Sequence, residues 1–201
     1  MSMIGGNAFL EVGKGGSFST WFGKYFAFCL SFWNGDKQGL RSDAYWTALT
    51  DASSKIVEKC PDPFGERLVY AALEILTERE RAERKAMQEA GDDSIAPVHA
   101  RQEDTGAGSA FRQGISDVYR LIAHQINGGK DGFGPTYKAD LISECNQVLD
   151  RYPDSDAVWI WVKVVYEECL RRKAAADLDR RRKDDLAFLH HKDQVPHADL
   201  A

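Results

Sequence analysis

Neighbouring cysteines, a strong net charge and long apolar runs are all missing from this sequence, and each absence excludes a class of protein. The four cysteines are widely scattered and form no Cys-x-x-Cys pair, which argues against a zinc knuckle or a disulfide framework. The net charge of -5 is too small to indicate a nucleic-acid-binding surface or a solvating acidic tail. With 43% hydrophobic residues, the composition predicts a globular cytoplasmic protein with reduced thiols.

The most apolar stretch, residues 18–33, is too short to be a membrane span. A bilayer requires roughly 20 apolar residues, whereas this stretch contains Lys24 and several hydroxyl side chains, and no small-residue cleavage site follows it. As a helix, it places its bulky aromatic residues on one face and small residues such as Gly23 and Ala27 on the other. We therefore expect a core helix that is covered on both sides, with Lys24 reaching water.

Nucleotide-binding and nuclease motifs are incomplete in this chain. Residues 13–17 resemble a phosphate-binding loop, but Ala8 and Gly15 stand where that motif needs a glycine and a serine or threonine. Arg120 and His124 resemble the arginine and histidine pair of helical-bundle ribonucleases, but fewer residues separate them than in that motif. Neither pattern predicts an activity.

Candidate metal and nucleophilic sites are equally weak. His190 and His191 are adjacent, so on a helix they point about 100° apart and form at most a loose surface site. The sequence shows no evident Ser-His-Asp or Cys-His set, and no Glu-x-x-His pattern of di-iron bundles. We therefore predict no catalytic residue, no metal and no cofactor, and expect the protein not to be an enzyme.

What the sequence does contain is two pairs of similar blocks in the same order. Residues 34–40 reappear as residues 127–133, and residues 56–62 reappear as residues 148–154 at nearly the same offset. Such self-similarity is the signature of repeat architectures. Asn-Gly and Pro-Asp also recur between unrelated helices, but the preserved order and spacing favour internal duplication.

Each half of the chain predicts three helices. In the first half, Ser42 or Asp43 caps the second helix, and Asp62 followed by Pro63 begins the third. In the second half, the last helix begins near Ser155 or Asp156 and, like its counterpart, ends in a highly charged extension that we expect to be solvated. The predicted fold is all-α: two similar three-helix units packed as a helical bundle or a short helical-repeat array.

The predicted division of the chain follows from this pattern. Residues 1–16 form a flexible leader, residues 17–90 the first helical repeat unit, and residues 91–108 a linker rich in glycine and aspartate. Residues 109–192 form the second unit with its long charged C-terminal helix, and residues 193–201 a tail.

One junction resembles a known repeat family. Residues 149–159 resemble the junction between successive tetratricopeptide helices, where a tyrosine and a proline close one helix and an aromatic residue enters the next. Tyr152, Pro153 and Trp159 are the residues that match. The chain has no 34-residue period of that family, so the likeness covers this junction alone and assigns no family.

Protein recognition is the function class that these observations favour. Stacked helical units present extended surfaces to partners, and large aromatic residues are good anchors on such surfaces. The candidate partner-binding residues are Trp46, Lys37, Arg41 and Lys130. Trp46 lies towards the polar side of its helix, while Lys37 and Lys130 lie in Asn-Gly turns that either bind an anion or only cap helices.

We accordingly expect a non-enzymatic inhibitor, antagonist or immunity-type protein that acts by occluding another protein. Nucleic acid and membrane are not the expected partners, and the oligomeric state is left open. Two alternatives remain: a helical-bundle hydrolase or nuclease with an unrecognised site, and a nucleic-acid binder that uses the basic C-terminal helix. The basic residues of that helix are Arg171, Arg172, Lys173, Arg180, Arg181, Arg182 and Lys183.

Overall fold

The structure, a computed structural model, describes residues 9–35, 41–90 and 109–192. These residues form six helices and no strand, which confirms the predicted all-α class. The helices are α1 (Ser17–Trp33), α2 (Asp43–Glu58), α3 (Pro63–Ala90), α4 (Ala110–Gln125), α5 (Tyr137–Leu149) and α6 (Asp156–Lys192). The predicted caps are confirmed too: the Ser42 hydroxyl accepts from the Tyr45 amide at 3.2 Å, and the Asp62 carboxylate accepts from the Phe64 amide at 2.9 Å.

The third helices of the two halves, α3 and α6, pack against each other in antiparallel orientation. Arg67, near the start of α3, binds Glu168 in the middle of α6 at 3.1 Å. Further along α3, Ile75 shares a groove with Ile160, which lies near the start of α6. In addition, α1 contacts α4, and within each half every helix contacts the other two.

Tyr25 connects three of these helices in the core. Its hydroxyl, on α1, donates to the Leu68 carbonyl of α3 at 2.9 Å and accepts from Trp161 Nε1 of α6 at 2.8 Å. Tyr25 and Trp161 are each 1% exposed. Burial raises the pKa of Tyr25 well above its ordinary value, so the hydroxyl stays protonated and can donate.

The segment before α1 packs on the second half of the chain. Leu10 is buried, and its backbone forms two hydrogen bonds with the Asn127 side chain: the Leu10 amide donates to Oδ1 at 2.9 Å, and Nδ2 donates to the Leu10 carbonyl at 2.8 Å. The Tyr119 hydroxyl donates to the Val12 carbonyl at 2.8 Å. Leu10 and Val12 thus belong to the packed structure, while residues 1–8 of the predicted leader lie outside the described residues.

The expectation that α1 is covered on both sides is wrong. Gly23, Lys24 and Ala27 are exposed, and a Cβ atom added at Gly23 would meet nothing within 4 Å. The physical reason is that the aromatic residues of α1 line a single buried face, so the neighbouring helices pack there.

A close contact between the first and third helices occurs in both halves. In the first half, Trp21, the fifth residue of α1, fills the space beside Gly65, the third residue of α3: a Cβ at Gly65 would lie 2.8 Å from the Trp21 ring. In the second half, the small residue lies on the first helix and the larger residue on the third. Gly114, the fifth residue of α4, faces Val158, the third residue of α6, and a Cβ at Gly114 would lie 2.5 Å from Val158 Cγ2.

Gly114→Ala is expected to destabilise the protein, because the added methyl group overlaps Val158. Alanine favours the helix by about 1 kcal/mol relative to glycine, but the overlap costs more than this gain. We therefore expect the free energy of unfolding, measured by urea denaturation, to fall by about 1–2 kcal/mol. Gly23→Ala is the matched control: with open space around Gly23, it should stabilise by about 0.5–1 kcal/mol. Val158→Ala should restore part of the loss in Gly114→Ala, and a purely additive double variant would contradict the contact.

Tyr25→Phe keeps the ring but leaves the Trp161 indole without an acceptor. We expect the free energy of unfolding to fall by about 1–3 kcal/mol, the cost of an unsatisfied buried donor. Tyr70→Phe serves as the control, because Tyr70 is 57% exposed and its hydroxyl bonds Glu66 at the surface. A Tyr25→Phe variant as stable as wild type in urea denaturation would show that the hydroxyl does not bridge the halves.

Candidate functional site

A groove of about 660 Å³ lies where the two halves of the chain meet. The end of α1, the middle of α3 and the starts of α4 and α6 form its walls. Its apolar lining residues are Trp33, Ile75, Ala82, Ala110, Phe111, Ala157 and Ile160. Its charged lining residues are Glu78, Arg79, Arg81, Lys85, Asp154 and Asp156, so cationic and anionic groups are equal in number.

One wall of the groove is a stack of flat groups centred on Trp33. The ring of Phe111 lies 3.7 Å from the Trp33 ring with an interplanar angle of 16°, and the guanidinium carbon of Arg79 lies 3.7 Å from the Trp33 ring centroid. Phe111 also contacts Trp161, with ring centroids 5.5 Å apart. The Trp33 Nε1 atom is buried and has no hydrogen-bond partner among the described residues.

An ion-pair network holds the rear of this wall. Glu83 binds Arg79 Nε at 3.0 Å through one carboxylate oxygen and Arg41 Nη1 through the other. Arg41 Nη2 in turn donates to the Trp33 carbonyl at 3.2 Å. Arg79 and Glu83 are therefore half-buried, and the expectation of a wholly solvated α3 extension is wrong on this face.

Of the four predicted site residues, the three that the structure describes have different surroundings. Arg41 is 8% exposed and ion-paired with Glu83, so its charge is satisfied within the fold. Trp46 is partly buried, edge-on to the Tyr45 ring at 5.2 Å. Lys130 is exposed in the turn between α4 and α5, and Lys37 lies outside the described residues.

The two Asn-Gly turns have the geometry of helix exits. Asn34 caps α1, and Gly35 and Gly128 have φ angles of 80° and 102°. The Gly128 amide donates to the Gln125 carbonyl at 3.0 Å, so it is used within the turn rather than offered to an anion. This geometry agrees with the capping interpretation.

The two residues considered for nuclease activity bind different carboxylates. The Arg120 guanidinium binds Asp117 on its own helix, whereas His124 Nδ1 lies 3.6 Å from the Glu144 carboxylate of α5. The described residues contain no group of three or more histidine, cysteine, aspartate or glutamate side chains able to hold a metal ion. The side chains of His190 and His191 lie outside the described part.

Four of the eight lysine and arginine side chains that the structure describes on α6 are paired with carboxylates. Arg171 and Arg172 bind Glu168 at 2.7 and 2.8 Å, and Lys173 binds Asp177 at 2.7 Å. Arg180 lies 3.7 Å from Asp177. These pairs reduce the positive potential that a nucleic-acid backbone would require.

Two exposed aromatic residues were missed by the sequence analysis. Tyr70 on α3 is 57% exposed and Trp159 on α6 is 54% exposed. The helical spacing could have indicated that Tyr70 is exposed, because Tyr70 lies about 200° around the helix from the buried residues Leu68 and Ala72. Trp159 entered the sequence analysis only as the aromatic residue of the tetratricopeptide-like junction, and the apolar residues around it in the sequence do not indicate exposure.

Comparison with known proteins finds no match: no protein-family model, no curated protein and no solved structure is similar to this chain. Within the described residues, no helix is both long and apolar enough to cross a membrane. The candidate site must therefore be interpreted from its own geometry.

At the other end of the α3–α6 pair, a buried carboxylate joins the two halves. Glu168 is 1% exposed and accepts hydrogen bonds from Arg67, Arg171 and Arg172. Arg172 also binds the carboxylate of Asp62 at 2.9 Å. Burial alone would raise the pKa of Glu168, but the hydrogen bonds and charges of Arg171 and Arg172 outweigh it and lower the pKa from its ordinary value of 4.5.

The lowered pKa of Glu168 predicts acid sensitivity. The folded state prefers the carboxylate form, so this stabilisation is complete above the ordinary pKa of 4.5 and is lost as the pH falls through the lower folded value. In urea denaturation from about pH 6 to about pH 3, the stability of Glu168→Gln should fall less steeply than that of wild type.

The control for this prediction is Glu167→Gln. The neighbouring Glu167 side chain is 47% exposed and binds Arg67 at the surface, so its removal should leave the wild-type pH dependence nearly unchanged. Parallel stability curves for wild type and Glu168→Gln would contradict the role of the buried carboxylate. Removing one partner of a buried ion pair costs about 3–5 kcal/mol at any pH where the pair is charged. The variants are therefore compared by the slope of the free energy of unfolding against pH, and not by its absolute value.

Proposed function

We propose that this chain is a non-enzymatic protein-binding module that inhibits or antagonises a partner protein by occluding it. The observation that carries the proposal is the groove beside Trp33, whose lining combines apolar side chains with charges of both signs. Such a lining suits an amphipathic segment of a protein, which buries apolar side chains in the centre and pairs its charges at the rim.

The stack on Trp33 supplies the kind of anchor that protein interfaces use. Tryptophan and arginine dominate the binding energy of many interfaces when they line a pocket, and here Arg79 and Trp33 already stand in contact. Phe111 and the Arg41–Glu83 pair hold this wall in place. A partner segment therefore meets a preformed surface, which lowers the entropy cost of binding.

We further propose that the two halves arose by internal duplication. Tyr45 and Tyr137 each lie in the first turn of a second helix and donate to a carbonyl at the end of the preceding helix, Phe32 in one half and Gln125 in the other, at 2.6 and 2.7 Å. The exchanged glycine contact between the first and third helices lies at the same helical positions in both halves. Duplication would place the groove at the junction between copies, where stacked helical units commonly bind partners.

Ala82→Arg is the variant that tests the groove. Ala82 is exposed and lines the groove, so a bulky charged side chain there should fill it without disturbing the core. Ala139→Arg, at an exposed position of α5 outside the groove, is the matched control. In quantitative affinity capture from the native host, we expect one stoichiometric protein retained by wild type and Ala139→Arg but lost by Ala82→Arg.

Calorimetry with the purified partner then measures how much affinity each variant loses. We expect Ala82→Arg to weaken binding at least tenfold, or about 1.4 kcal/mol, and the activity of the partner to fall as wild-type chain is added to equal concentration. Equal binding by Ala82→Arg would move the interface away from the groove. Repeated capture of no stoichiometric protein would count against the binding module itself.

A further inference from the structure

A second cavity, of about 370 Å³, lies between α4 and the junction of α5 with α6. Three of its lining residues are arginines: Arg112 and Arg120 on α4, and Arg151 just after α5. Among the described residues that line it, the one carboxylate is that of Asp117. This cavity is separate from the groove in the proposed function.

Asp117 holds two of the arginines in place. Its side chain is 6% exposed, and its Oδ1 atom accepts from Arg120 Nη1 at 2.5 Å. Its Oδ2 atom accepts from Arg151 Nη1 at 2.8 Å and from the Tyr152 hydroxyl at 2.9 Å. Both carboxylate oxygens are thus bound to protein donors, so Asp117 positions the arginines and leaves little capacity to bind a cation.

Several guanidinium donors remain without a protein acceptor. Nε and Nη2 of Arg120 bind no described residue, and Arg112 has no carboxylate partner in the described part of the chain. The Arg112 guanidinium lies 5.4 Å from the Phe26 ring, which restricts it on one side. With three guanidinium groups and one carboxylate, the cavity has two positive charges in excess.

The pair formed by Arg112 and Asp117 belongs to the second half alone. Arg112 and Asp117 are the third and eighth residues of α4, and the corresponding residues of α1 are Ser19 and Lys24. The pair is therefore not needed for the helical framework that both halves share. Burial and the hydrogen bond to Asp117 raise the pKa of Tyr152, so its hydroxyl stays neutral and adds no negative charge to the cavity.

We infer that this cavity binds a doubly charged oxyanion of the phosphate class. Guanidinium groups match phosphate oxygens in bidentate geometry and form charge-assisted hydrogen bonds with them. A dianion neutralises the excess charge of Arg112, Arg120 and Arg151, whereas a single carboxylate leaves half of it uncompensated. The donors come from α4 and from the α5–α6 junction, so one ligand contacts both elements.

The test follows the arginine Nε–Hε signals by NMR while inorganic phosphate is added at constant ionic strength. Saturable shifts are expected at Arg112 and Arg120, with none at Arg181, an exposed arginine of α6. Sulfate should produce similar shifts, and acetate should bind at least tenfold more weakly. Parallel titration with free phosphoserine distinguishes the two sources of this chemistry, because a monoester site binds it more tightly than inorganic phosphate.

Arg112→Gln supplies the mutational test. It removes the guanidinium that has no carboxylate partner, so the fold should persist, as checked by circular dichroism, while phosphate affinity falls at least tenfold. Arg181→Gln makes the same charge change outside the cavity and should retain wild-type affinity. Shifts that do not saturate, equal shifts with chloride, or equal loss of affinity in both variants would each overturn the site.

Discussion

The phenol of Tyr25 is a buried contact that joins α1 and α3 of the first half to α6 of the second half. It belongs to α1, bonds the backbone of α3 and receives the indole hydrogen of Trp161 from α6. A buried donor without an acceptor is costly, so the position of Trp161 depends on this hydroxyl. The positions of Phe111 and Trp33 depend on Trp161 in turn, because Phe111 packs on Trp161 and Trp33 packs on Phe111. The wall of the groove is therefore supported by the core.

Two arginines on the paired helices α3 and α6 have different surroundings. Arg79 and Arg172 are each the seventeenth residue of their helix. Arg172 is 2% exposed and binds Glu168 and the α3 cap residue Asp62, which closes that end of the α3–α6 pair with ion pairs. Arg79 instead stacks on Trp33, since a flat aromatic face attracts a guanidinium group.

Local features explain which parts of the fold could be predicted from the sequence. The helix starts at Ser42 and Asp62 are specified by side chains that bond amides only a few residues away. The candidate site was less predictable because its contacts are long-range. Arg41 resembled a surface charge until Glu83, distant in the chain, was placed beside it. Likewise, nothing local in the sequence indicates that Asp117 and Arg151 meet.

The sequence by itself determined the six helices, their caps and the paired blocks at the Asn-Gly turns and Pro-Asp junctions, because these depend on hydrogen bonds and periodicity within a few residues. The tertiary structure alone decided which charges are neutralised and which are left to bind. Whether an arginine is buried like Arg41 or lines a cavity like Arg112 depends on which distant carboxylate reaches it. The distance between an arginine and such a carboxylate is set by the packing of α3 on α6 and of α4 on α5. This packing cannot be read from any short segment of the chain.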